Sequence, residues 1–326
     1  MPKYPFIVFF TILFLAGCGG EKPEVLVVLK TLDNPFFVDI QDGFVKEWGE
    51  RKQDAVVTIK SGRKEGDIET QRKILDAQYS SKVANRQPPL IKGLVLTPSA
   101  SGGDLVLQIR RYRKAGIPVI LLDTGINREE LERQKTNYNL LVRSNNVTGG
   151  EIAADVLVKG LEDNAKECRV LVLNGVADHD TAKERRDGFV QKAESMGCEV
   201  AMEKTANWRR DDAQRIVSQL VANWKFTGVF AANDEMALGT ISALKQAGIN
   251  DGTLIVGFDA IPEAIEAVRS GLMLDTIAQN PRKMGKKAAM ALAEFITTKA
   301  KKKKLPSFKE ELLSPVSTKR NLAPAL

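Results

Sequence analysis

The stretch "EVLVVLKTLDNPFFVDIQDGFVKEWGERKQDAVVTIKSG", residues 24–62, decides the fold. It holds an apolar run, a polar break, a segment of helical length and a second apolar run. "EVLVVLK" reads as a strand. In "FFVDIQDGFVKEWGERK" the residues Phe37, Ile40, Phe44, Val45 and Trp48 fall near helical spacing, and "AVVTIKSG" is the next strand. The break between them is the informative part. A loop serving only as a turn would favour Gly or Asp, yet here Asn34 and Pro35 lead into two adjacent aromatics, Phe36 and Phe37. Those rings suit a flat, partly apolar ligand.

The same alternation continues through the chain. A helix over 67–81 is followed by the strand "IKGLVLTP", a helix over 103–115 and the strand "IPVILLD". The second half repeats it with helices at 148–160, 181–196, 210–223 and 235–247, and strands at 169–174, 198–203, 228–231 and 253–257. Strands apolar on both faces belong in a parallel sheet covered by helices on each side. The fold class is therefore α/β, with two doubly wound parallel-sheet lobes. In such sheets a ligand binds beyond the carboxyl ends of the strands. The residues there are polar or aromatic: Lys30 to Phe37, Ser61 to Arg63, Thr97 to Ser101, Asp123 and Thr124, Asn174 to Thr181, Trp208, Asn233 to Glu235, and Phe258 with Asp259. Amides, carboxylates and Arg pair with hydroxyls, and aromatic faces take the C–H side of a sugar ring.

The chain has 326 residues, enough for two domains with sizeable cores. With 43% hydrophobic and 27% charged residues it is neither disordered nor multispanning. A formal charge of +7 is a mild excess that does not point to nucleic acid. Neither a G-x-G-x-x-G after a strand nor a P-loop occurs. The single histidine, His179, has no second His or Cys at ligand spacing, so neither a metal nor a cofactor is expected. No G-x-S-x-G elbow is present, and no enzymatic activity is expected. "KAKKKK", residues 299–304, reads as a solvated loop after a helix.

At the N-terminus Lys3 precedes "FIVFFTILFLAG", which falls short of the about 20 apolar residues of a membrane span. Leu15, Ala16, Gly17 and Cys18 resemble the bacterial lipobox. That resemblance implies a signal peptide over 1–17, lipidation of Cys18 and a tether over 18–23, giving an exported protein held at the membrane. Of the remaining cysteines, Cys168 and Cys198 each open an apolar run. A disulfide between them and two buried free thiols both stand open.

"VVLKTLDNPFFVDIQDGF", "IPVILLD", "SNNVTGGEIAAD", "FAANDEMALGTISALKQAG", "IVGFDAIPEA" and "DTIAQNP" together resemble the periplasmic monosaccharide-binding proteins of ABC importers, in the ribose- and allose-binding branch. The resemblance runs from about residue 24 to about 320. It implies a set of sugar contacts: Asn34 to a ring hydroxyl, Phe36 and Phe37 against the ring, Asp123 at the fourth strand end, and Arg185. Trp208 would stack from the opposite lobe, with Asn233, Asp259 and Gln279 as further polar ligands. Phe258 lies beside them, and His179 is a further candidate contact. Two positions depart from the ribose pattern. Lys30 replaces a small hydroxyl residue, as in the allose type, and Thr124 stands where ribose binders carry Arg, which leaves room for a differently substituted ligand.

The resemblance further implies chain crossings near residues 144, 279 and 309. These give an N-terminal lobe of 24–144 plus 280–309 and a C-terminal lobe of 145–279 plus 310–326. The expected partners are a monosaccharide or polyol and the subunits of an ABC permease, with the protein a monomer. A sensor presenting its closed form to a chemoreceptor or histidine kinase is the alternative.

Overall fold

The computed structural model describes residues 21–249, 252–300, 305 and 308–318. The signal segment, Cys18 and Lys301 to Lys304 lie outside the described residues. From the N-terminus the chain alternates β1 (Glu24–Leu29), α1 (Pro35–Glu50), β2 (Val56–Ser61), α2 (Ile68–Lys82), β3 (Ile91–Leu96), α3 (Val106–Lys114), β4 (Val119–Leu122), α4 (Arg128–Arg133) and β5 (Leu140–Ser144). It then crosses to a second lobe with α5 (Asn146–Asp163), β6 (Arg169–Asn174), α6 (Asp180–Ser195), β7 (Glu199–Thr205), α7 (Arg210–Leu220), β8 (Gly228–Ala231), α8 (Asp234–Gln246), β9 (Leu254–Asp259), α9 (Pro262–Arg269) and β10 (Asp275–Ala278). α10 (Pro281–Ala300) and β11 (Lys309–Leu313) return to the first lobe, and β12 (Val316–Ser317) ends in the second.

The two sheets have matching orders, β11-β5-β4-β3-β1-β2 in the N-lobe and β12-β10-β9-β8-β6-β7 in the C-lobe. The N-lobe pairings are parallel throughout. In the C-lobe only β12 runs antiparallel, against β10. The central strands are largely buried on both faces, as their mainly apolar sequences require. Each N-lobe face has its own core, Phe37, Ile40 and Phe44 meeting α10 on one side and Leu75, Ile109 and Tyr112 filling the other.

The helix pair α1/α10 is packed through Gly43 and Gly285, and α5/α6 through Gly150 and Gly188. In all four places an added Cβ would strike the backbone of the partner helix. The two lobes are thus built on one plan down to the contact between their paired helices.

One sequence expectation fails at the hinge. The third crossing, expected near residue 309, lies at Ser314 and Pro315, because Lys309–Leu313 pairs with β5 in the N-lobe sheet. Residues 310–313 therefore belong to the N-lobe. The Asn145 N–H donates to the Leu313 carbonyl at 2.9 Å, tying the first and third crossings together. Cys168 and Cys198 form a disulfide with a Cα–Cα distance of 4.8 Å. Arg169 pairs with Glu199 across β6 and β7, which sets the residues just before them side by side.

Candidate ligand-binding cleft

The carboxyl ends of both sheets face each other, and the loops leaving them form a narrow cavity between the lobes. On the N-lobe side, Asn34 is the N-cap of α1. Its Oδ1 accepts the Phe36 N–H at 3.0 Å, and Pro35 occupies the first turn. The same amide donates from Nδ2 to Glu65 Oε1 at 3.1 Å, so its NH2 is the end turned toward the cleft. Phe36 and Phe37 meet edge-to-face, with centroids 5.2 Å apart. Both are buried and both reach core and cavity, so the two aromatics serve packing and lining at once.

Lys30, at the end of β1, is 2% exposed. Its Nζ donates to Asp123 Oδ2 and to Thr124 Oγ1, both at 2.7 Å, while Thr124 Oγ1 donates to Asp123 Oδ2 at 2.9 Å. Thr124 therefore stands behind the cavity wall and closes a triangle with the ion pair. Burial alone would raise the Asp123 carboxyl, but the charges of Lys30 and then Arg185 hold it below the ordinary carboxylate range.

On the C-lobe side, Arg185 projects from α6. Its Nε donates to Asn146 Oδ1 at 2.9 Å and its Nη1 to the Ala232 carbonyl at 2.7 Å, with Asp259 Oδ1 at 3.4 Å. The guanidinium lies 3.9 Å above the ring centre of Phe258, which sits behind the wall as its support. Gln279 Nε2 donates to Asp259 Oδ1 at 2.6 Å, whereas its Oε1 is buried and accepts no hydrogen bond among the described residues. Burial pushes Asp259 up to about 6, against the pull of Arg185 and Gln279. Behind it Asp234 is raised well above its usual value by burial and by Asp259.

Asn233 caps α8 through Oδ1, which accepts the Met236 N–H, and its Nδ2 donates to the Trp208 carbonyl at 3.2 Å. Trp208 lies against the end of β6, where a Cβ on Gly175 would collide with the indole. Asp123, Trp208 and Asp259 all have left-handed φ, at 64°, 64° and 118°. Non-glycine residues held there are strained by about 1–3 kcal/mol each, a cost tolerated where side-chain placement matters.

Lys30, Asn34, Phe36, Phe37, Asp123, Arg185, Trp208, Asn233, Asp259 and Gln279 all line this one cavity. His179 does not: it stands behind Trp208, as Thr124 and Phe258 stand behind their own neighbours. Glu65 and Thr181 line the cavity as well. Thr181 opens α6 within a loop already placed at a strand end. Glu65 lies beyond the stretch read as the end of β2, in a loop whose flanking Arg63 and Asp67 pair at 2.9 Å. Burial pushes Glu65 up to about 7, while Lys30 and the Asn34 bond oppose the shift.

Residues 25–301 match the family model described as periplasmic binding protein domain. The chain is 31% identical over 303 residues to a ribose import binding protein of Haemophilus influenzae, covering 90% of this chain and 92% of that one. It is 30% identical over 275 residues to the D-allose-binding periplasmic protein of Escherichia coli, covering 84% of each. Among solved structures, an ABC transporter periplasmic solute-binding protein from Actinobacillus succinogenes with bound D-allose matches with a TM-score of 0.77 at 27% identity, over 91% of this chain and 97% of that one. The chain belongs to the periplasmic binding protein family.

Proposed function

We propose that this protein captures a monosaccharide of the ribose or allose kind in the interlobe cleft and delivers it to the permease of an ABC importer. It is a binding protein and not an enzyme, as its relatives are. The observation that carries the reading is the pairing of walls: Phe36 and Phe37 from one lobe and Trp208 from the other, with Lys30, Asp123, Arg185, Asp259 and Gln279 in the same cavity. Aromatic faces would take the sugar's C–H surfaces, and the polar groups its hydroxyls. Asn34 and Asn233 offer N–H donors whose orientation is fixed by their capping roles.

Sugar touching both lobes favours the closed form through its differential affinity for that state. An epimer that inverts one hydroxyl leaves a buried partner unpaired, at about 1–3 kcal/mol. Thr124, at the position where the ribose pattern has Arg, bonds Lys30 and Asp123 behind the cavity wall, which supports a ligand other than ribose itself. The "LAGC" tetrad supports export with a lipid anchor on Cys18.

A thermal-shift screen of residues 21–326 against pentoses, hexoses and their alditols tests the proposal. Binding to the native state alone raises the melting point by mass action. The expected result is a shift with one or two related sugars that is lost in Asp123→Ala and Trp208→Ala. No shift from folded, ligand-free protein with any of these compounds overturns it.

A further inference from the structure

The His179 imidazole is 1% exposed and joins both lobes without lining the cavity. Its Nε2 is 2.6 Å from the Ser99 carbonyl oxygen, in the N-lobe loop between β3 and α3. Its Nδ1 is 3.0 Å from the indole Nε1 of Trp208. A carbonyl oxygen only accepts and an indole N–H only donates. The tautomer follows: Nε2 carries the hydrogen and Nδ1 the lone pair.

The neighbouring residue repeats the crossing, since the Asp180 N–H donates to Ser101 Oγ at 3.0 Å. His179 holds the N-cap position of α6, but its side chain makes no capping bond, so the helix start does not account for an imidazole there. Across the gap Ser99 is held firmly: its N–H donates to Gln71 Oε1 at 2.8 Å, and Gln71 Nε2 donates to the Leu29 and Thr97 carbonyls.

We propose that His179 is a positioning residue that couples closure of the two lobes to the placement of the Trp208 ring, and that it does so only while neutral. The inference rests on the sugar-binding reading given above. In this structure the imidazole is anchored at both nitrogens across the two lobes, and the indole it holds is the C-lobe aromatic wall of the cavity. An imidazolium would donate at both nitrogens and set two N–H groups against each other at the Trp208 contact. Protonation therefore costs either that contact or closure.

The charged groups around the ring are Lys30 and Asp123 across the gap, Asp104 before α3, and Asp178 and Asp180 beside it. Burial, followed by the charge of Lys30, lowers His179 to about 4, with the Ser99 carbonyl and Asp123 opposing. A ring exposed by opening returns toward the ordinary value of about 6.5. Closure is then fully favourable above about 6.5 and weakens as pH falls toward 4.

The chain has a single histidine, so its imidazole signals can be titrated by NMR without assignment of others. Affinities at pH 7.5 and 5.0 are measured with D-ribose, D-allose and the other pentoses and hexoses of the thermal screen. In the wild type the imidazole should titrate lower with bound sugar than without. Its share of the acid-induced loss of affinity should reach about thirtyfold, from an open value near 6.5 and a closed value of about 4. His179→Phe, which keeps bulk but makes neither bond and does not titrate, should weaken binding at pH 7.5 and differ less from the wild type at pH 5.0. His179→Gln can donate to Ser99, accept from Trp208 and not titrate. It should rescue most of the pH 7.5 affinity lost in His179→Phe and remove the imidazole's share of the acid loss, leaving that of Glu65 and Asp259. If the wild type binds sugar but His179→Gln falls as steeply with acid, or His179→Phe binds unchanged, the latch is wrong and the sugar reading stands. If no sugar binds the folded wild type, the sugar reading falls and the latch falls with it.

Discussion

Asp123 and Asp259 occupy the same place in the two lobes: each ends the third strand of its sheet, counted from the edge formed by β11 or β12, and each has a left-handed φ. Their carboxyls are nonetheless shifted in opposite directions. Asp123 lies beside the Lys30 ammonium and the Thr124 hydroxyl, and its charge is welcome. Asp259 has Arg185 only at 3.4 Å, shares its surroundings with buried Asp234, and is pushed up to about 6. Equivalent topology fixes where a side chain stands, whereas its neighbours decide what charge it carries. At its strand end the N-lobe wall is a self-satisfied ion pair, and its titrating carboxyl is instead Glu65 of the loop after β2, pushed up to about 7. The C-lobe wall keeps the unpaired Gln279 Oε1 and a carboxyl near its titration point.

The largest effect expected is from Asp123→Ala, which leaves Lys30 buried without its counter-ion. Losing one partner of a buried pair costs about 3–5 kcal/mol of stability, and sugar binding should fall more than about a hundredfold. Both are read by denaturant melts and calorimetry.

Asp259→Asn is the counterpart that can break the comparison. A carboxyl whose folded pKa is raised has its full stability below the unfolded value of about 3.9 and loses it as pH rises to about 6. Ligand-free Asp259→Asn should therefore melt no lower than the wild type at pH 7.5, and its melting point should fall relative to the wild type's between pH 6 and 4, where it lacks the contribution of Asp259. Asp123, depressed when folded, contributes above about 3.9 and loses that contribution as pH falls further. Equal destabilisation by both substitutions at pH 7.5 would remove the distinction between the walls.

Trp208→Ala should weaken sugar binding by about thirty- to a hundredfold, the roughly 2–3 kcal/mol of a buried aromatic contact, with little change in the N-lobe core. Glu65→Gln sharpens the comparison on the N-lobe side. With Glu65 at about 7, the amide imitates the protonated acid, so the variant should match the wild type near pH 6 and differ from it near pH 8.5 in binding titrations. The smallest effect on affinity is expected from Cys168→Ala with Cys198→Ala. The disulfide joins β6 and β7 at the ends away from the cleft, so its loss should cost about 2–4 kcal/mol of stability, read as a lower melting temperature, and leave the dissociation constant unchanged.

The alternation of apolar runs with amphipathic segments was enough to read two parallel-sheet lobes, and the strand-end rule was enough to gather the residues that line the cavity. What the sequence hid lies where tertiary geometry decides. The third crossing was misplaced because β12 is a two-residue strand whose pairing leaves no periodic pattern. Glu65 lies beyond the strand end and meets the cleft through the Asn34 amide, 31 residues away. His179 was weighed against the ligand, but its partners lie on the opposite lobe and on Trp208, at separations of 80 and 29 residues that no local motif records. The cysteines needed the β6–β7 register before either alternative could be chosen.

The matched sheet orders carry one more consequence. Because both sets of strands end at the cleft, the helices that follow them begin there, among them α1 capped by Asn34, α2 by Asp67 and α8 by Asn233. Aligned peptide dipoles leave about half a positive charge at each such start. Glu65, Asp123 and Asp259, with Asp234 behind them, thus share the cavity with Lys30 and Arg185, its cations among the described residues, in a field that the backbone itself makes positive. The main chain, through its direction of travel, supplies part of the counter-charge that side chains would otherwise have to provide.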